Sequence, residues 1–239
     1  MIISYHILKH IPDQSTYMKN NLILAILVFA SALWSPQIAQ AQGTVYVSNL
    51  GLPSAGSVSV GNNSWLATDF ETGTNAGGYL LNSVQLALTD ATGNPSGFSA
   101  MIYDVNPKSI AGAEPGSSVC ALNGSLDPVG AGIYTYSPAS SLMLSPSTEY
   151  FIVLTAGTAV ADGAYQWSVT STDAPTLSGG WNGAHIPLSS SDGVNWGPFA
   201  STYAQFAISG TPVPEPSTLG LLALGGCLLV WRRRHAKPV

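Results

Sequence analysis

The sequence predicts an all-β domain, an antiparallel β-sandwich of jelly-roll type, flanked by an N-terminal signal helix and a short C-terminal transmembrane helix. Three observations predict it. Short apolar runs alternate with clusters of Gly, Asn, Asp and Pro, as strands alternate with turns. Several runs repeat with a period of two residues, the spacing that puts alternate side chains on one face of a strand. The middle of the chain carries no apolar stripe at helical spacing.

The expected strands are Thr44–Ser48, Trp65–Phe70, Tyr79–Thr89, Phe98–Tyr103, Ile133–Tyr136, Glu149–Thr155, Tyr165–Thr170 and Tyr203–Ser209. Within Tyr79–Thr89, Val84, Leu86 and Leu88 alternate with Ser83, Gln85 and Ala87, which turns one face inward. Glu149–Thr155 is almost continuously apolar, the signature of a central strand covered on both faces. Turns are expected at Asn75-Ala76-Gly77-Gly78, Thr92-Gly93-Asn94-Pro95, Asp127-Pro128, Ala161-Asp162-Gly163 and Asp192-Gly193.

The two ends read as processing segments, set apart from the fold. Met18-Lys19-Asn20-Asn21 is a positive start, Leu22–Leu33 an apolar run, and Ala39 and Ala41 the small residues that a signal peptidase reads. Cleavage is expected after Ala41, with translation starting at Met18. Residues 1–41 are thus the signal peptide, 42–211 the β domain and 212–239 the tail. The apolar stretch Leu219–Trp231 of that tail is a short membrane helix, and Arg232, Arg233 and Arg234 keep its end cytoplasmic. Ahead of it, Pro214-Glu215-Pro216 holds the chain extended and open to an enzyme.

The order Pro-Glu-Pro, short apolar helix and arginine cluster at the extreme C-terminus resembles the PEP-CTERM sorting signal. The resemblance implies recognition of Pro214, Glu215 and Pro216 by an exosortase, a membrane transpeptidase, in a Gram-negative bacterium that makes exopolysaccharide. A second resemblance covers most of Thr44–Ser209. Ser48-Asn49-Leu50-Gly51, Phe70-Glu71-Thr72-Gly73 leading into Tyr79–Val84, Leu144-Ser145-Pro146 leading into Tyr150–Leu154, and Tyr165-Gln166-Trp167 resemble the choice-of-anchor R family of exported domains. That family brings no chemistry with it.

Charge narrows the partners. Residues 42–213 carry ten acids against the single Lys108, a formal charge of about −9. So negative a surface repels a phosphate backbone, which argues against nucleic acid. The domain's one thiol, Cys120, allows no internal disulfide and reads as a small buried apolar residue.

No catalytic residues emerge, and no cofactor or metal is expected. The domain lacks a Gly-x-Ser-x-Gly elbow, and its only histidine, His185, lies in a Ser/Gly-rich stretch. Asp69 and Glu71 share a strand face but read as a solvated strand end. Asp192-Gly193-Val194-Asn195 offers oxygens to calcium without the full EF-hand pattern, and that alternative stays open. Trp181 and Trp196, set among Gly, Asn and Ser, offer flat rings for stacking on exopolysaccharide sugars, or else close the sandwich as core. The expected protein is a non-enzymatic cell-surface or matrix component of structural or adhesive role, with a carbohydrate-binding module as the alternative.

Overall fold

The computed structural model describes residues 43–107, 113–183, 187–199, 202–214 and 225–226. The expectations for Ala39, Ala41, Lys108, His185, Glu215, Pro216 and Arg232–Arg234 lie outside them, as does most of the expected membrane helix. None of the described helices is long and apolar enough to cross a membrane.

Among the described residues sixteen strands form the domain. In chain order they are β1 (Thr44–Ser48), β2 (Gly56–Val60), β3 (Trp65–Glu71), β4 (Tyr79–Gly93), β5 (Ser99–Val105), β6 (Pro115–Asn123), β7 (Gly132–Pro138) and β8 (Met143–Leu144). There follow β9 (Glu149–Thr155), β10 (Gly163–Thr170), β11 (Thr176–Leu177), β12 (Asn182–Gly183), β13 (Leu188–Ser190), β14 (Gly197–Pro198), β15 (Tyr203–Ala204) and β16 (Phe206–Pro212). The pairings are antiparallel throughout.

The strands join in one continuous sheet that curls on itself. Its main path runs β11-β1-β16-β4-β7-β6-β5-β9-β3-β13-β14, and β10, with β2 and β15, adds to β4. β7 is the seam. Val84–Leu88 of β4 pair with Gly132–Tyr136, while only Ser137 and Pro138 pair with β6. The curl lets both halves feed one core. Val47, Val60, Leu86, Tyr165, Trp167, Phe206 and Ile208 of one half meet Leu66, Phe70, Ile102, Ile152 and Leu154 of the other.

β4 bears out the expected alternation, with Val84, Leu86 and Leu88 buried and Ser83, Gln85 and Ala87 half-buried. Nearer its start the phase reverses, and Tyr79 and Leu81 point inward. A bulge makes the switch: Ser83 faces Ser209 of β16 and Leu81 faces Gly210, leaving Asn82 as the extra residue. A second bulge lies opposite the same point of β16, where Tyr46 of β1 is the extra residue between Val45 and Val47. It lets the neighbours Tyr46 and Val47 both be buried.

β9 is central, as expected, between β5 and β3. Tyr150, Ile152 and Leu154 face the main core, while Phe151 and Val153 join Ala67 of β3 in a second cluster on the outer face. Cys120 is buried and free.

Several elements differ from expectation. Tyr203–Ser209 is two strands, because the chain changes partners at Gln205: β15 pairs with β10, and β16 pairs with β1 and β4. Gln205 is fastened on both sides, its side chain donating to the Leu52 carbonyl and accepting from the Ser168 hydroxyl. The unforeseen β2 and β6 also follow the period-two rule, with Val58 and Val60, and Cys120 and Leu122, turned inward.

Candidate functional site

The last strand delivers the tail. β16 runs between β1 and β4, with Thr211 facing Leu80 and Pro212 facing Tyr79. Val213 is still held, its N–H donating to the Gly78 carbonyl at 3.0 Å and its carbonyl accepting from the Asn75 amide at 2.9 Å. The same amide donates to the Gly78 carbonyl at 2.6 Å. Gly78 has φ +73, a left-handed conformation that glycine adopts without strain. A side chain at Gly77 would run into the Val213 carbonyl, so a glycine is needed for the close approach. At the same end of the sheet Thr44, the first residue of β1, faces Gly210, two residues before the end of β16.

Of the two readings of Trp181, glycan platform or core, the structure places it in the core. It is 3% exposed. Its ring lies flat against Tyr46, with centroids 4.5 Å apart and 7° between planes. Phe70 stacks at 5.9 Å with the same 7° tilt, and Tyr79 meets it edge-on at 5.0 Å. Packed among these three rings and buried, the indole has no open face for a sugar. The glycines that suggested an exposed loop have another use. Gly179 and Gly180 adopt φ +59 and +75 and turn the chain so that the tryptophan enters the core.

Trp196 lies elsewhere, on the outer face of β3, β9 and β5. There Trp65, Met101, Tyr103, Val105, Leu188 and Trp196 pack, partly exposed, around Ala67, Phe151 and Val153. Burial pushes the Tyr103 hydroxyl up from its ordinary value. The Trp196 ring nitrogen is buried with no hydrogen-bond partner among the described residues. Beside this cluster lies a groove of about 410 Å³, lined by residues that include Asp104, Asn106, Pro107, Ser117 and Val194.

Asp69 and Glu71 both sit on this outer face but do not line the groove. Asp69 is buried and faces Phe151, whereas Glu71 is exposed and faces Glu149. The Asp192 loop satisfies itself. One carboxylate oxygen accepts from the N–H groups of Val194 and Asn195, each at 2.9 Å, and from the Ser190 hydroxyl at 2.8 Å. The other accepts from the Asn195 amide at 2.7 Å. Those donors, led by the Asn195 N–H, hold the carboxyl well below the ordinary 3.8. A calcium ion would have to displace them. Among the described residues no group of three or more His, Cys, Asp or Glu is placed to hold a metal.

A family profile, described as the PEP-CTERM protein-sorting motif, matches residues 212–234. The chain carries a PEP-CTERM sorting motif. The motif implies an exported protein, membrane-anchored before processing and sorted by an exosortase. Compared with curated proteins, the chain matches none. The match does not reach the strands before β16, so the likeness of 44–209 to choice-of-anchor R domains rests on the residues quoted for it alone.

The PEP-CTERM motif begins at Pro212, the last residue of β16, so address and sheet meet without a linker. Of the expected site residues, the structure describes Pro214, Trp181 and Trp196, and brings none of them together. The sequence reading missed the hold on Val213 by Asn75, although it placed a turn at Asn75–Gly78. It also missed the outer aromatic face, whose Trp65, Tyr103 and Trp196 lie far apart in the sequence.

Proposed function

We propose that this exported chain is a non-catalytic cell-surface or matrix protein, structural or adhesive in role. The proposed setting is a Gram-negative bacterium whose exosortase system is linked to exopolysaccharide and biofilm. One observation carries the reading: the sorting motif begins within the final strand of a folded β domain, so the domain itself is the cargo. We read the curled sheet as a jelly-roll-like sandwich, since both halves feed one core. Deleting residues 213–239 tests the placement. Fractionation should then find the protein in the medium, and an unchanged surface location would count against it. Cells lacking the exosortase should retain the tail on the membrane-bound form.

A second reading is a carbohydrate-binding module for exopolysaccharide. It is favoured by the half-buried Trp196 beside Trp65, Tyr103 and the groove. Rings of this kind stack on the apolar faces of sugars, and a strongly acidic domain favours a neutral glycan over an anionic one. Pull-down on purified exopolysaccharide separates the readings: Trp196→Ala should abolish retention by a glycan-binding domain. Wild-type protein that is not retained leaves the structural reading alone.

A further inference from the structure

We infer that Asn75 restrains the sorting reaction by holding Val213, the residue before the Pro-Glu-Pro tripeptide, against the folded domain. The inference rests on exosortase-dependent sorting and adds a residue to it from outside the motif.

The hold is complete at one residue. Val213 gives its N–H to the Gly78 carbonyl at 3.0 Å and receives the Asn75 amide on its own carbonyl at 2.9 Å. The Asn75 amide is itself fixed, because it also donates to the Gly78 carbonyl at 2.6 Å. The Asn75 N–H donates to the Tyr79 hydroxyl at 3.3 Å, which ties the turn to the strand that Pro212 faces. Gly77 leaves room for the Val213 carbonyl that any side chain would deny it.

The tripeptide starts at the next residue. A transpeptidase that takes its substrate as an extended strand engages backbone on both sides of its recognition residues. On the N-terminal side that backbone is Thr211, Pro212 and Val213, which are paired with Leu80, Tyr79 and the turn. Pro212 and Pro214 have no N–H to offer, so Val213 carries the only donor between Thr211 and Glu215. That donor is taken. The enzyme therefore meets a chain whose competent form is the fraction in which the Val213 end has left the turn, and its apparent affinity falls by that fraction.

The test uses the full chain in an exosortase-bearing host, with loss of the tail followed over time by pulse-chase and mass. Asn75→Ala removes the amide and should speed tail loss about fivefold, the effect of one net hydrogen bond. Inserting Gly-Ser-Gly-Ser between Val213 and Pro214 leaves the hold intact but moves the tripeptide away, and should speed tail loss similarly. In the inserted chain Asn75→Ala should then have no further effect. The inference is overturned if Asn75→Ala leaves the rate of the native-length chain unchanged or lowers it. It is equally overturned if the substitution accelerates the inserted chain as much, since that marks general loosening of the fold. A wild-type chain that never loses its tail in this host would sink the sorting reading itself, and the inference with it.

Discussion

Trp181 lies face to face on Tyr46, the ring centroids 4.5 Å apart and the planes within 7°. The contact joins two irregular pieces of chain. Tyr46 reaches it from a bulge in β1, and Trp181 reaches it through the Gly179-Gly180 turn. Removing the indole would empty the middle of a stack that continues through Phe70 to Tyr150. Trp181→Ala should therefore cost about 3–5 kcal/mol, read as a lower urea midpoint. Trp196→Ala, on the half-exposed outer face, should cost about 1–2 kcal/mol. Equal losses at the two positions would show that the core assignment of Trp181 is wrong.

Two tyrosines pin one loop. The Tyr136 hydroxyl donates to the Ser125 carbonyl at 3.0 Å, and the Tyr165 hydroxyl to the Asp127 carboxylate at 2.9 Å. Phe98 packs on both rings. Burial pushes both hydroxyls well above the ordinary 10.0, and for Tyr165 the Asp127 carboxylate adds to the rise. Because the folded values are raised, this stability is present below pH 10.0 and is lost as the pH climbs above it. Tyrosinate absorbance at these two sites should appear only with unfolding. Tyr165→Phe should cost about 1–2 kcal/mol at neutral pH, the lower end reflecting the exposed carboxylate.

Asp192 gives the opposite pH dependence. Its folded value lies below the ordinary 3.8, so its contribution is present above that pH and is lost as the pH falls below it. The stability gap between wild type and Asp192→Ala should narrow on acidification below 3.8. Urea midpoints at neutral pH and in acid check this. Calcium should leave the wild-type midpoint where it is, and a calcium-dependent rise would show that the ion displaces the loop's donors.

Asn82 is the extra residue on which the phase of β4 turns. Deleting it forces either Tyr79 and Leu81 or Val84, Leu86 and Leu88 to the wrong face, since a one-residue slip reverses every side chain. The deletion should prevent folding, whereas Asn82→Ala should cost about 1 kcal/mol or less. Circular dichroism of the two secreted proteins distinguishes the cases, and a cooperatively folding deletion would disprove the bulge.

The sequence disclosed what repetition can disclose. β9 was legible because five residues in a row, Tyr150–Leu154, lacked a polar break, and Val84, Leu86 and Leu88 because they alternate. The bulge at Asn82 left a trace too, two adjacent polar residues, but alternation read forward from Ser83 passes over it. Trp181 was legible only as one of two alternatives, core or glycan platform. A tryptophan after two glycines has the composition of a surface loop, and only the positive φ angles show that the glycines fold it inward. The hold on Val213 joins residues far apart in sequence, a distance no local pattern reports.

The placement of β16 between two neighbours has a mechanical consequence. A pull on the C-terminal end runs along the strand, across hydrogen bonds that stand perpendicular to it. The ladders to β1 and β4 then bear the load in shear, many bonds at once, whereas an edge strand peeled from its end gives way one bond at a time. Load applied at that end would therefore reach the rest of the sheet through both ladders together.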